Sequence, residues 1–154
     1  MVDVLVVGAG FGRDFLHLYR LHPEVTAVGL VEPNAAVRRE IADSFGVEAD
    51  YADLDEALAS GRWDLVHLLS PVRFHVDQTL TVLASGRSCA SAVPMATTLD
   101  DIARVTEAAE SGRGVYMMME TALYQREYLH ALHLRDTGAL GRLTYLSGAH
   151  MQDL

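Results

Sequence analysis

The sequence predicts an α/β fold: a doubly wound, mainly parallel sheet followed by a C-terminal helix and an orphan strand. Three observations carry this expectation. Apolar runs of strand length alternate with segments of helical period from Val4 to Met119, as in a parallel sheet covered on both faces. The stretch "VVGAGFGRDF", Val6 to Phe15, sets Gly8, Gly10 and Gly12 directly after the first run. The alternation then stops at Glu120, which divides the chain into residues 1–119 and 120–154.

The elements follow in order. Val4 to Val7 form a strand, and a helix from about Gly12 carries Phe15, Leu18 and Tyr19 on one face. "VTAVGLVE" is a buried strand ending in Glu32; the helix from Asn34 turns Val37, Ile41 and Phe45 inward and stops at Gly46. A short strand near Val47 precedes a small helix with Leu54, Ala57 and Leu58, and "DLVHLLSP" is the fourth apolar run. The next helix buries Val76, Leu80 and Leu83 and stops at Gly86. "SCASAVP", a helix over 99–111 with Ile102, Val105 and Ala109 inward, and "GVYMMM", with Met117 to Met119 as strand core, complete six strands and five helices. In the tail, "YQREYLHALHLRDTG" predicts one helix ending at Gly138, and "RLTYLSG" alternates like a half-buried strand with no partner after it.

Composition narrows the function. With 154 residues, half of them hydrophobic, the chain is long enough for one domain with a core. A formal charge of -9 argues against nucleic acid, which needs a basic surface. Cys89 stands alone, so no internal disulfide forms, and "MVDVLVVG" has neither a basic leader nor an apolar run long enough for a signal or membrane helix. The expected compartment is a reducing cytoplasm, with no membrane partner. All 12 basic residues are Arg, so lysine Schiff-base, lysine general-acid and P-loop lysine chemistry are excluded within this chain.

The glycine loop allows a tight turn and the approach of an anionic group to the N–H donors of a helix N-terminus. Glu32, twenty residues past Gly12, is placed to accept hydrogen bonds from ribose hydroxyls, and its charge favours NAD(H) over NADP(H), with Arg38 and Arg39 nearby tempering that preference. The sixth position of a GxGxxG fingerprint is Arg13, which predicts either a shifted helix start or a side chain turned outward to pyrophosphate or solvent. S-adenosylmethionine methyltransferases use the same GxGxG spacing and a similar acid, so the loop alone leaves two ligands open.

Two downstream stretches decide. "LLSPVRFHVDQTLTVLASGRSCASAVPMATTLDD" and "LRDTGALGRLTYLSGAH" resemble the glucose-fructose oxidoreductase / inositol dehydrogenase (Gfo/Idh/MocA) family over essentially the whole chain. In that family a strand ends in a Ser-Pro or Thr-Pro turn, a His-containing helix follows, then Glu-Lys-Pro, then a crossing into a second domain. The resemblance implies an N-terminal Rossmann domain binding NAD(P), with residues 120–154 as the connecting helix and first strand of a second domain that is missing or truncated. It implies Gly8, Gly10, Phe11, Gly12 and Arg13 at the cofactor phosphates, Glu32 at the adenosine ribose, and Ser70, Pro71, His75 and Pro94 toward the nicotinamide. The implied substrate is a small polyol, sugar, carbonyl or imine. Ala92 and Val93 stand where the family has Glu and Lys, so the usual proton-transfer residue is absent. A non-catalytic NAD(H)-binding module is therefore the competing expectation.

Four residues are candidates for catalysis: Glu120, Tyr124 and Arg126, directly after the sixth strand, and His75. His150 and Asp153 are further polar residues for the same cleft. His130 and His133 lie one turn apart with only Glu127 at hand, so no metal site is expected. His67 is expected as a satisfied core histidine. The orphan strand predicts a homo-oligomer or a second chain as partner.

Overall fold

The computed structural model describes residues 1–149 and divides the chain into two compact units, Met1–Met119 and Glu120–Leu154. His150 and Asp153 lie outside the described residues. The first unit alternates β1 (Val2–Val7), α1 (Ala9–Leu21), β2 (Val25–Val31), α2 (Ala35–Phe45), β3 (Ala49–Tyr51), α3 (Leu54–Ala59), β4 (Leu65–Leu68), α4 (His75–Ala84), β5 (Ser88–Ala92), α5 (Leu99–Ser111) and β6 (Tyr116–Met119). The strands form one six-stranded sheet in the order β3-β2-β1-β4-β5-β6, and every pairing is parallel. Order reverses between β1 and β4, the place where an open parallel sheet leaves a crevice at its carboxyl edge.

Alternation along the strands splits the core in two. Leu5, Val7, Val66, Leu68 and Cys89 pack with Trp63 and with side chains of α3 and α4. Val6, Val28 and Leu30 face the other way, against Ala9 and Leu16 of α1 and Ile41 of α2. Local signals fix the helix starts: the Asn34 side chain accepts from the backbone N–H of Ala36 and Val37, Asp53 from Glu56, and Thr98 from Asp101. Gly46 closes α2 in the left-handed region with φ 60.

Several inward faces differ from expectation. α1 begins at Ala9 rather than near Gly12, so its buried row is Ala9, Gly12 and Leu16, and Leu18 rotates outward to 60% exposure. α4 buries His75, Thr79, Val82 and Leu83, leaving Val76 and Leu80 half-buried. Ile102 is exposed, while Val105 enters the core. Met117 and Met118 are exposed as well: among the described residues β6 pairs only with β5, and it is Tyr116 that packs against the core. In the second unit the helix expected from "YQREYLHALHLRDTG" is α6 (Arg126–Asp136), preceded by a 3-10 turn, Thr121–Tyr124. The stretch "RLTYLSG", 142–148, is not a strand. A strand is defined by ladder hydrogen bonds to a neighbour, and alternation alone does not supply one.

His67, on β4 opposite Val6 of β1, is fully buried. The Tyr19 hydroxyl is hydrogen-bonded to its Nδ1 at 2.9 Å, and the rings of Phe15 and Tyr19 meet it edge-on. Its Nε2 has no hydrogen-bond partner among the described residues, so the histidine is only half satisfied. Burial pushes the His67 imidazole down to about 4 and the Tyr19 phenol up to about 12, so both side chains stay neutral at pH 7.

A pH dependence of stability follows. Below the ordinary histidine value of 6.5 the unfolded chain takes up a proton that the folded chain refuses until about 4. The contribution is complete above 6.5 and is lost as the pH falls toward 4, amounting to roughly 2–3 kcal/mol. Urea unfolding at pH 7 and pH 4.5 is expected to show this loss in the wild type and to show it reduced by that amount in His67→Gln. An identical pH response in both proteins excludes His67 as its source.

Candidate functional site

The crevice is built from backbone first. Gly8, with φ 98, ends β1, and its N–H donates to the Val31 carbonyl at 2.9 Å. A Cβ at Gly8 would stand 2.9 Å from the Leu69 carbonyl oxygen, so only glycine lets the segment leaving β4 come this close. Gly12 is buried on α1, where a Cβ would meet the Val6 side chain at 2.8 Å. Close packing of helix on strand, the task of the third glycine in a dinucleotide fingerprint, therefore falls to Gly12. Arg13 is left free to point outward, and its Nε donates to the Gly10 carbonyl at 3.1 Å along the first turn. Gly10 differs from both, since nothing lies within 4 Å of where its Cβ would be.

α1 has no side-chain cap of its own. Glu32, just past β2, supplies one from across the crevice: one carboxylate oxygen accepts from the Ala9 N–H at 3.1 Å and the other from the Asn34 N–H at 2.9 Å. An acid at a helix N-terminus is favourably placed against the helix dipole. Arg38 is held beneath, donating to Asp50 at 2.9 Å and to the Glu32 backbone carbonyl at 2.6 Å. On the far wall the Ser70 hydroxyl donates to Oε1 of Gln78.

These residues bound a cleft of about 730 Å³. Gly8, Gly10 and Phe11 form its floor, Glu32, Pro33, Ala52 and Asp53 one wall, and Ser70, Pro71, Arg73, Phe74 and Gln78 the other. Phe11, Arg73 and Phe74 are exposed.

Of the residues expected here, Gly8, Gly10, Phe11, Glu32, Ser70 and Pro71 line the cleft, whereas Gly12, Arg13, His75 and Pro94 do not. His75 is corrected from a cleft residue to a buried brace. Its Nδ1 lies 2.8 Å from the Pro94 carbonyl oxygen and its Nε2 2.8 Å from that of Ser70, so the ring ties the turn after β4 to the cis Val93–Pro94 turn after β5. With both nitrogens against carbonyls it has no free edge for a substrate. Val93 is 41% exposed, presenting an isopropyl group at the end of β5. In the second unit Glu120 caps the 3-10 turn by accepting from the Ala122 N–H at 2.7 Å, while Tyr124 and Arg126 are exposed. His130 and His133 are exposed on α6, and no cluster of metal-ligating residues occurs among the described residues. No helix among them is long and apolar enough to cross a membrane.

Sequence reasoning missed Arg73, Phe74 and Gln78. Their signal was present: Phe74 and Gln78 are four apart, immediately after the Ser-Pro turn that closes an apolar run.

A glycine turn that opens a helix at the switch point of a parallel sheet, faced by an acid at the end of the next strand, defines a dinucleotide-binding α/β domain. The family model of the oxidoreductase family with an NAD-binding Rossmann fold (GFO_IDH_MocA) matches residues 2–120, and the chain belongs to that family. It is similar to a glycosyl hydrolase family 109 protein of Streptomyces niveus, 27% identical over 163 aligned positions that cover 99% of this chain and 33% of that protein. It also resembles the solved structure of an oxidoreductase from Agrobacterium radiobacter in complex with NAD+, L-tartaric acid and magnesium, with TM-score 0.86 and 20% identity over 92% of this chain and 42% of that one. Scyllo-inositol dehydrogenase from Lactobacillus casei, with NAD(H) and scyllo-inositol bound, gives TM-score 0.85 and 19% identity at the same coverage. The chain thus spans about a third of that hydrolase's length.

The two extra features of the loop make opposite predictions. Gly8→Ala combines a positive φ with a backbone clash and is expected to cost roughly 2–3 kcal/mol or more, while Arg13→Ala, on the surface, changes stability by no more than about 0.5 kcal/mol. Thermal and urea unfolding of both variants test this; an unaffected Gly8→Ala would show that Leu69 can retreat.

Proposed function

We propose that the cleft binds NAD(H) in preference to NADP(H), and that the chain, completed by a second domain or chain, transfers hydride between the nicotinamide and a polyhydroxylated substrate such as a sugar or cyclitol. The observation that carries the cofactor reading is Gly10: its α-carbon faces open space on the cleft floor, beside the N-terminus of α1 and opposite the Glu32 carboxylate. Pyrophosphate suits the first and ribose hydroxyls the second. Gly8 and Gly10 would hold the pyrophosphate and Glu32 the adenosine ribose, with Ser70 and Pro71 on the opposite wall. NAD(H), when bound, supplies or accepts the hydride. Preference over NADP(H) is supported by the acid at Glu32 and by Arg38, whose guanidinium is already committed to Asp50. The substrate class is supported by the carbohydrate and cyclitol names of the relatives.

Ala92 and Val93, with no lysine in the chain, favour a second reading in which the domain binds NAD(H) without turning over substrate. Calorimetric titration with NADH, NADPH and S-adenosylmethionine is expected to give stoichiometric binding of NADH and weaker binding of NADPH; binding of S-adenosylmethionine alone overturns the proposal. Gly10→Ala is expected to unfold no more easily than the wild type, since the added Cβ meets nothing within 4 Å, yet to lose about tenfold or more in NADH affinity. Hydride transfer to a sugar, polyol, imine or aldehyde by the isolated chain separates the catalytic reading from the second one.

We also propose a partner, either a second copy or a second chain. α6 buries none of its residues, and Leu143, Tyr145 and Leu146 are exposed beside it in sequence. Apolar surface of this kind marks an association site. Sedimentation at micromolar concentration is expected to show an oligomer or self-association; a stable monomer counts against a homo-oligomer.

A further inference from the structure

We propose that the outer edge of β6 receives residues 143–146 of a second copy of this chain as an antiparallel strand, the two copies exchanging this segment across a two-fold axis. This rests on the association reading above and names the edge and the segment that meet.

The edge is defined by the ladder on its inner side. The Cys89 N–H donates to the Val115 carbonyl at 2.8 Å, and Cys89 to Ala92 of β5 stand beside Tyr116 to Met119 in regular parallel register. Backbone groups of successive strand residues point to opposite sides, so those of Val115, Met117 and Met119 turn to β5 and those of Tyr116 and Met118 turn outward. Among the described residues no strand takes up the outward groups. Sheet edges are ordinarily guarded by charge, proline or a bulge. From Val115 to Met119 there is neither charge nor proline, and the pairing with β5 carries no bulge. Val115, Met117 and Met118 are exposed, which leaves apolar surface on both faces of the sheet. A strand that fits this edge is uncharged and apolar on both of its sides.

The segment from Leu143 to Leu146 has that composition. Extended, it sets Leu143 and Tyr145 on one side and Thr144 and Leu146 on the other. Leu143, Tyr145 and Leu146 are exposed and belong to no strand. Charge fixes direction and register. Glu120 directly follows β6 and Arg142 directly precedes the segment, and antiparallel pairing sets these opposite charges face to face while keeping the apolar residues in line. Met119 then meets the partner's Leu143, Met118 the partner's Thr144, Met117 the partner's Tyr145, and Tyr116 the partner's Leu146. In this register the outward groups of Met118 and Tyr116 find ladder partners. Met117 and the partner's Tyr145 form a non-hydrogen-bonded pair, where side chains stand closest, and a thioether against an aromatic ring is a favourable contact. The two-fold axis repeats the pairing once, which closes the assembly as a dimer.

Sedimentation of the full chain at micromolar concentration and oxidative cross-linking of mixed single-site cysteine variants test the exchange. The wild type is expected to sediment as a dimer. Met118→Pro removes an N–H that faces away from β5 and so leaves the inner ladder whole; it is expected to melt like the wild type and to weaken the dimer about tenfold or more. A mixture of Met117→Cys and Tyr145→Cys proteins is expected to give a disulfide-linked dimer, since directly opposed residues bring their Cβ atoms within bonding reach. A mixture of Met117→Cys with Thr144→Cys, whose side chain faces the other way, is expected to give none, and the buried Cys89 leaves the wild type unlinked. Cross-linking of Met117→Cys with itself marks two β6 edges paired together and overturns the exchange. So does a folded Met118→Pro that dimerises like the wild type. A stable wild-type monomer removes the self-association reading and the exchange with it, whereas a wild-type dimer without the mixed disulfide removes the exchange alone.

Discussion

Gly8 stands where three strand ends meet. Its N–H is committed to Val31 at the end of β2, and the volume its side chain would need is taken by the Leu69 carbonyl and Ser70 on the path out of β4. This contact sets the width of the crevice, because the turn after β1 and the turn after β4 approach as backbone against backbone. The constraint then propagates through named atoms. Ser70 is fixed through its hydroxyl to Gln78 and through its carbonyl to His75, and the other His75 nitrogen reaches Pro94. Turns after β1, β4 and β5 are thereby tied in series at the carboxyl edge of the sheet, with a buried imidazole as the last link. Packed links of this kind transmit displacement, since a close-packed interior has little room to absorb it.

Electrostatics at the same edge follow from the helix that Gly8 opens. α1 starts immediately after the strand, with glycine at its cap and no side chain there to satisfy the first N–H groups. Glu32 meets part of that need from a different strand, and in doing so also anchors the entry to α2 through Asn34. One carboxylate thus joins two helix N-termini, while Arg38 is held below by Asp50 and by the Glu32 carbonyl. Anionic charge is therefore built into the wall at Glu32, and the floor beside Gly10 keeps the positive end of the α1 dipole.

How much of this the sequence discloses depends on which physical signal is read. Locating the strands needed only the apolar runs, because a strand buried on both faces has no other way to be composed. The cleft floor was equally legible, since a glycine triplet after a strand has few structural uses. Helix faces were read less well. Placing the start of α1 at Gly12 displaced its inward row, and the true start at Ala9 follows from Glu32 acting as a cap from outside the helix, a tertiary contact no local pattern encodes. Arg13 looked like a broken fingerprint because the close packing it should provide is done by Gly12 one position earlier. His75 was misplaced for a related reason: two backbone carbonyls, far apart in sequence, close on its nitrogens. The alternation of "RLTYLSG" shows a segment able to pair; whether it pairs is decided by residues that are not its neighbours.

At the end of β5 the same reasoning bears on chemistry. Val93 offers a hydrocarbon where proton transfer needs a titrating group, both nitrogens of His75 are taken up by carbonyls, and the Tyr116 hydroxyl is engaged with Ser91 and pushed up in pKa by burial. Of these groups, His75 braces the backbone, Tyr116 is paired with Ser91, and Val93 carries no titrating group. The crevice itself is set by backbone geometry around Gly8 and Gly10, where the Leu69 carbonyl fills the space a Gly8 side chain would need, and that contact depends on no titrating group at the end of β5.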